Sequence, residues 1–185
     1  MLIRPLSHAV FLLLGACAHP QVGTAEKTPA VRVEYLHPEK FSDVGNRRSS
    51  SDQVRADYLE QLARHLAGRA AALLPEGDKL SVSITEVDMA GDFEPWRWGE
   101  IRVVRDIYPP RIDLSFSLAD SDGRLIKRGE RALRDPAFLE TASGYRDDPL
   151  RYEKLLIDHW LGEELSREQL VQQPGDAIRE HGRHN

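Results

Sequence analysis

Carboxylates crowd one stretch of this 185-residue chain, where Asp88, Asp92, Glu94 and Glu100 lie close together. Side chains of this type and spacing can pass a proton as acid and base, or hold a hard cation through oxygen. The plainer reading is a solvated loop that carries charge. Asp120-x-Asp122-Gly123 shares its opening with a calcium loop but lacks the later ligands and the closing glutamate. A hairpin turn accounts for it. His181-x-x-His184 offers two imidazoles without a third ligand, in a polar tail. There is no nucleophile elbow, H-E-x-x-H, Walker loop or C-x-x-C pair. No catalytic residue, no metal ligand and no cofactor is therefore expected.

The same stretch also holds Phe93-Glu94-Pro95-Trp96-Arg97-Trp98, with two of the chain's three tryptophans on either side of Arg97. Exposed tryptophan and arginine dominate binding surfaces. Phe93, Trp96, Arg97 and Trp98 are thus the partner-binding candidates, with Trp96 and Trp98 expected to be at least partly exposed. The competing reading folds the loop back to cap an open end of the domain.

Residues 1–17 have a positive residue at Arg4, a short apolar run from Ala9 to Leu14, and then small residues. This is a secretory signal pattern, too short to span a bilayer. Leu14-Gly15-Ala16-Cys17 resembles the lipobox of bacterial lipoproteins, which implies cleavage before Cys17 and a diacylglycerol on its thiol. The other reading is simple cleavage at Ala16-Cys17-Ala18. The lone cysteine has no other evident use, which favours lipidation. Ala18 in place of aspartate implies the outer membrane by the sorting pattern of that class. Residues 18–30 are polar with two prolines and read as a flexible linker. The formal net charge of −5 argues against duplex nucleic acid as a partner.

The elements that must position these groups follow from periodicity. Val31–Tyr35 alternates as a strand does. Val54, Tyr58, Leu62, Leu66, Ala70 and Leu73 form a helical stripe that Pro75-Glu76-Gly77 ends. Leu80, Val82 and Ile84 share one strand face, and the phase changes at Glu86-Val87, as at a bulge or strand end. Ile112, Leu114, Phe116 and Leu118 share another face. Residues 101–118 read either as one strand bent at Pro109-Pro110 or as two; one bent strand antiparallel to 79–88 is favoured. Arg124 to Leu133 is charged, as protected edge strands are. Asp148-Pro149 reads as cap and first turn of a last helix, with Tyr152, Leu155, Leu156, His159 and Trp160 on its apolar face. Arg151, Glu153 and Lys154 read as its charged surface. The expected fold is α+β, a two-layer sandwich of an antiparallel four-stranded sheet with two helices on one face (β-α-β-β-β-α). It would occupy 31–168, with a polar tail at 169–185.

Pro38-Glu39-Lys40-Phe41 with Asp43-Val44, Leu74-Pro75-Glu76-Gly77, Asp88 with Ala90-Gly91, and Pro110-Arg111-Ile112-Asp113-Leu114 come in an order that resembles the bacterial domain-of-unknown-function family 3016. Ile101-Arg102-Val103, Gly129-Glu130 and Leu150-Arg151-Tyr152-Glu153-Lys154 with Trp160 continue the likeness. The resemblance implies an exported protein and carries no activity, cofactor or site residue with it.

Two functions fit. The first is an exported, lipid-anchored envelope module, periplasmic and held at the outer membrane, that binds a protein or cell-wall partner. The second is a small periplasmic hydrolase or metal-dependent enzyme built on the acidic loop 88–100.

Overall fold

The computed structural model describes residues 29–44, 52–94, 102–141, 145 and 147–165. The chain builds β1 (Val31–Tyr35), a 3-10 turn at Pro38–Lys40, α1 (Asp52–Leu73), β2 (Lys79–Asp88), β3 (Arg111–Ala119), β4 (Leu125–Arg134), the short α2 (Phe138–Thr141) and α3 (Arg151–Glu164). The strands lie in the order β1-β2-β3-β4 in one sheet. The fold is α+β.

The sheet is mixed rather than wholly antiparallel. β1 and β2 run parallel, with Val31 beside Leu80 and Tyr35 beside Ile84. The reason is α1. A helix of 22 residues returns the chain along the sheet, so the next strand starts at the same end as the last. The β2–β3 and β3–β4 pairs are antiparallel.

Alternation fixes which face is covered. On β3, Ile112, Leu114, Phe116 and Leu118 are all buried, and the residues between them are only partly so. Burying four such side chains is worth a gross ~6–12 kcal/mol, and a one-residue slip would expose the set. On β2, Leu80, Val82 and Ile84 point the same way. The ladder then jumps from Ile84–Leu114 to Glu86–Asp113, leaving Thr85 as the extra residue of a bulge. Thr85 Oγ1 donates to the Asp113 carbonyl at 3.1 Å, and Val87 returns to the interior.

Leu59, Leu62, Leu66 and Ala70 of α1 and Leu156, Ile157, Trp160 and Leu161 of α3 cover that face. Phe116 meets Trp160 edge to face at 5.7 Å between ring centres. The opposite face is polar, with Ser81, Ser83, Asp113, Ser115, Ser117 and Arg128 on it.

The hairpin after β3 is the turn its composition implies. Gly123 has φ +81°, Gly123 N donates to the Asp120 carbonyl, and Asp120 Oδ1 accepts from the amides of Asp122 and Arg124. Its aspartates serve the turn. Residues 102–110 are not a continuation of β3. Val103 makes an isolated bridge to Asp92, and the chain then turns before entering β3 at Arg111. The two prolines cannot donate to a ladder, so the strand starts after them.

α3 starts at Arg151, two residues beyond the expected first turn. Asp148 still serves its entry: Oδ1 accepts from Leu150 N at 2.8 Å and Oδ2 pairs with Lys154. Burial pushes the Asp148 carboxyl up, but its bonds from Lys154 and Leu150 together hold it below the usual range. His159, expected on the apolar face, is exposed, while Glu153 and Glu164 are buried.

Candidate functional site

A cleft of about 560 Å³ opens at the end of the sheet where β2 and β4 finish and β3 begins. Strand register builds one side of it. Asp88 stands opposite Arg111, and Arg111 stands opposite Arg134, so three charged side chains form a row on one face. Ser42 to Val44 forms a second side, running beside the end of β2 through an Asp43–Asp88 bridge. Ile107, Tyr108 and Pro109 make an apolar rim, and Arg55 reaches in from the first turn of α1.

The segment after β2 is held at many points. Asp92 and Val103 exchange backbone hydrogen bonds at 3.0 and 2.9 Å, and Gly91 N donates to the Tyr108 carbonyl at 3.0 Å. Arg102 Nη1 bonds the carbonyls of Met89, Ala90 and Gly91, closest to Gly91 at 2.9 Å, while Nη2 donates to Asp43 at 2.9 Å. Gly91 is obligatory here. Its φ is +85°, and a Cβ would lie 2.7 Å from the Val103 carbonyl oxygen. From behind, the fully buried Glu153 of α3 accepts the Ala90 amide on Oε1 at 2.7 Å. Glu153 Oε2 has no hydrogen-bond partner among the described residues, and burial raises its carboxyl to about 6 against the pull of the Ala90 amide.

The charges of the cleft are unevenly satisfied. Arg134 forms an ion pair with Asp113 at 2.8 Å. Among the described residues Arg111 reaches only long contacts, 3.8 Å to Glu86 and 3.5 Å to Ser42 Oγ, and Arg55 a 3.4 Å contact to the Glu39 carbonyl. The Nε of both is buried without an acceptor among the described residues. Asp88 makes no side-chain hydrogen bond or ion pair among the described residues. Burial raises its carboxyl above the ordinary range; Arg111 pulls it back, and Asp43 and Glu86 push it further up.

Of the acidic loop, Asp88 and Asp92 reach the cleft. Glu94 does not: it is buried and pairs with Arg105 at 3.0 Å. Phe93, expected at a partner surface, is also buried, with the Arg102 guanidinium 4.7 Å from its ring centre. An interior cation claims that ring. Glu100, Trp96, Arg97 and Trp98 lie outside the described residues, as do Cys17, His181 and His184. Sequence reasoning missed Arg55 and Arg134 at the cleft, and Arg102 and Glu153 behind it. Only Glu153 left a signal: it precedes Ile157 and Leu161 at four-residue intervals, on the stripe the helix buries.

The family described as "Protein of unknown function (DUF3016)" matches residues 29–163. The chain belongs to this family. No curated protein and no solved structure matches it. The DUF3016 match contains every residue of the cleft, from Ser42 to Arg134. Chemically, this DUF3016 cleft offers guanidiniums to an anion, carboxylates to a cation, and an apolar rim beside both.

Proposed function

We propose that this DUF3016 chain is an exported bacterial envelope module, lipid-anchored through Cys17, that works by binding a protein or cell-wall partner. One observation carries the binding part. Both covering helices pack on the same face of the sheet, and the other face is polar and, among the described residues, uncovered, with a cleft of incompletely satisfied charges at its end. The leader supports the envelope part: Leu14-Gly15-Ala16-Cys17 precedes a polar linker that leads directly into β1. The Trp96-Arg97-Trp98 stretch, close in sequence to the cleft residue Asp92, is the second contact surface in this reading.

The test is made on the full chain in cells. Cys17→Ser should abolish lipid-dependent processing and shift the protein from the membrane to the soluble fraction. A photocrosslinker at position 98 should capture a discrete envelope partner. Unchanged fractionation of Cys17→Ser would remove the anchor from the reading.

A second reading rests on Asp88 and Asp92 both lining the cleft. It makes the chain a metal-dependent hydrolase. Titration with divalent metals decides it, since tight binding lost on Asp88→Asn or Asp92→Asn is expected only there.

A further inference from the structure

The row Asp88–Arg111–Arg134 is an unusual use of three adjacent strands. Opposite charges face each other at Asp88 and Arg111 without forming a direct ion pair, and like charges face each other at Arg111 and Arg134. Like charges placed directly opposite in a sheet are unfavourable unless an anion lies between or near them. Arg134 is engaged by Asp113, whereas among the described residues Arg111 has only the long contacts to Glu86 and Ser42, and Arg55 the long one to the Glu39 carbonyl. Guanidiniums held this loosely at a cleft can exchange such contacts for a better acceptor. A carboxylate suits this need, because a guanidinium binds it through two parallel N–H groups.

The cation site lies beside it. Asp88 and Arg111 face each other across β2 and β3 and both line the cleft, with no ion pair between them among the described residues, though each feels the other's charge. A ligand that carries a carboxylate and an ammonium on one carbon can meet both. At the rim, Ile107 is 64 % exposed beside Tyr108 and Pro109, an apolar seat in an otherwise charged cleft.

The geometry points to a binding site for a free α-amino acid with an apolar side chain: its carboxylate on Arg111 and Arg55, its ammonium on Asp88, its side chain against Ile107 and Tyr108. The raised Asp88 carboxyl accords with this, since an ammonium supplies the counter-charge it lacks. The cleft volume of about 560 Å³ leaves room for such a ligand with water around it. This site deepens the binding reading above, since it lies in the same cleft, but it needs neither the Cys17 anchor nor the Trp96-Arg97-Trp98 stretch, so calorimetry on it and crosslinking from position 98 can fail separately.

Calorimetry on the full chain in mild detergent tests it, with L-phenylalanine as the probe. Saturable one-to-one binding is expected. N-acetylphenylalanine, which keeps only the carboxylate, and phenylalanine amide, which keeps only the ammonium, should each bind at least about tenfold more weakly. Asp88→Asn and Arg111→Gln should each weaken binding by a similar factor. Arg55→Gln, on the first turn of a helix, should do so too, with circular dichroism confirming each variant folded. Absence of saturable heat with both phenylalanine and leucine would overturn the proposal. So would equal affinity for the N-acetyl compound, tighter binding of inorganic phosphate, or folded variants with unchanged affinity.

Discussion

Glu153 shows how far a single residue can depart from its local context. Between Tyr152 and Lys154 it reads as helix-surface charge, yet it is fully buried, with one oxygen on the Ala90 amide and the other without a hydrogen-bond partner among the described residues. Burial lifts its carboxyl from 4.5 to about 6. The sign follows directly. The folded chain binds this proton more tightly than the unfolded chain does, so the stability gained from Glu153 is greatest below pH 4.5 and lost as pH rises through 6. Glu153→Gln keeps the acceptor for Ala90 and removes the buried charge. The variant should be more stable than the parent at pH 7 by up to about 2 kcal/mol, and the gap should close as pH falls towards the unfolded carboxyl range. Urea unfolding of both proteins across that range checks it; a gap independent of pH would assign the effect to packing. Glu164 is the opposite case. Burial pushes it up, but Lys127 at 2.6 Å and the two-pronged contact of Arg131 outweigh that and hold it below the usual range. One buried glutamate is short of partners and the other is well supplied.

At the scale of elements, α3 does more than cover the sheet. Through Glu153 it holds the segment leading from β2 into the cleft, through Glu164 it ties down β4, and through Asp158 it binds α1. Asp158 accepts from Tyr145 at 2.8 Å and Arg69 at 3.0 Å and lies 2.9 Å from His65 Nε2. Asp158→Ala leaves these groups without their acceptor and should cost about 2–3 kcal/mol, read as a lower urea midpoint at unchanged slope. On β3, Leu118→Ala removes a fully buried side chain from the core and should cost about 2–5 kcal/mol. Gly91→Ala should destabilise through the backbone instead. Its φ of +85° and the nearby Val103 oxygen leave a methyl no place, and the Asp92–Val103 bridge should be lost first. Loss of amide protection at Asp92 and Val103 in hydrogen exchange reports that.

For the whole molecule, the arrangement of layers decides which surfaces are available. β2 and β3 lie at the centre of the sheet with neighbours on both sides, whereas β1 and β4 are its edges. Native-state hydrogen exchange should therefore show the slowest amides on β2 and β3 and faster ones on the edges. With the helices on one face, the other face and the cleft at its end stay open among the described residues, and the proposed recognition would use them. The cleft depends on all layers at once, since β2, β3, β4, the Ser42–Val44 segment and α1 each supply a side chain.

Much of this was legible in the residues. Alternation at Leu80–Ile84 and Ile112–Leu118 set the strands and their buried face, and the stripe from Tyr58 to Ala70 set the first helix. The phase change at Glu86-Val87 read as a bulge or a strand end, and the register shift between Ile84 and Glu86 decided for the bulge; Asp120 to Gly123 specified the hairpin. Each is a local matter, because side-chain period and turn chemistry are properties of a few consecutive residues. The tertiary structure alone decided the direction of β1 relative to β2, the inward turn of Phe93 and Glu94, the amide that Glu153 finds inside, and the meeting of Arg55, Asp88, Arg111 and Arg134. Pairing direction depends on where α1 returns the chain. A charged side chain turns inward only where an amide or guanidinium from another part of the chain waits for it. Sequence spacing records neither, because the partners lie beyond the local period of a helix or strand and are brought together only by packing.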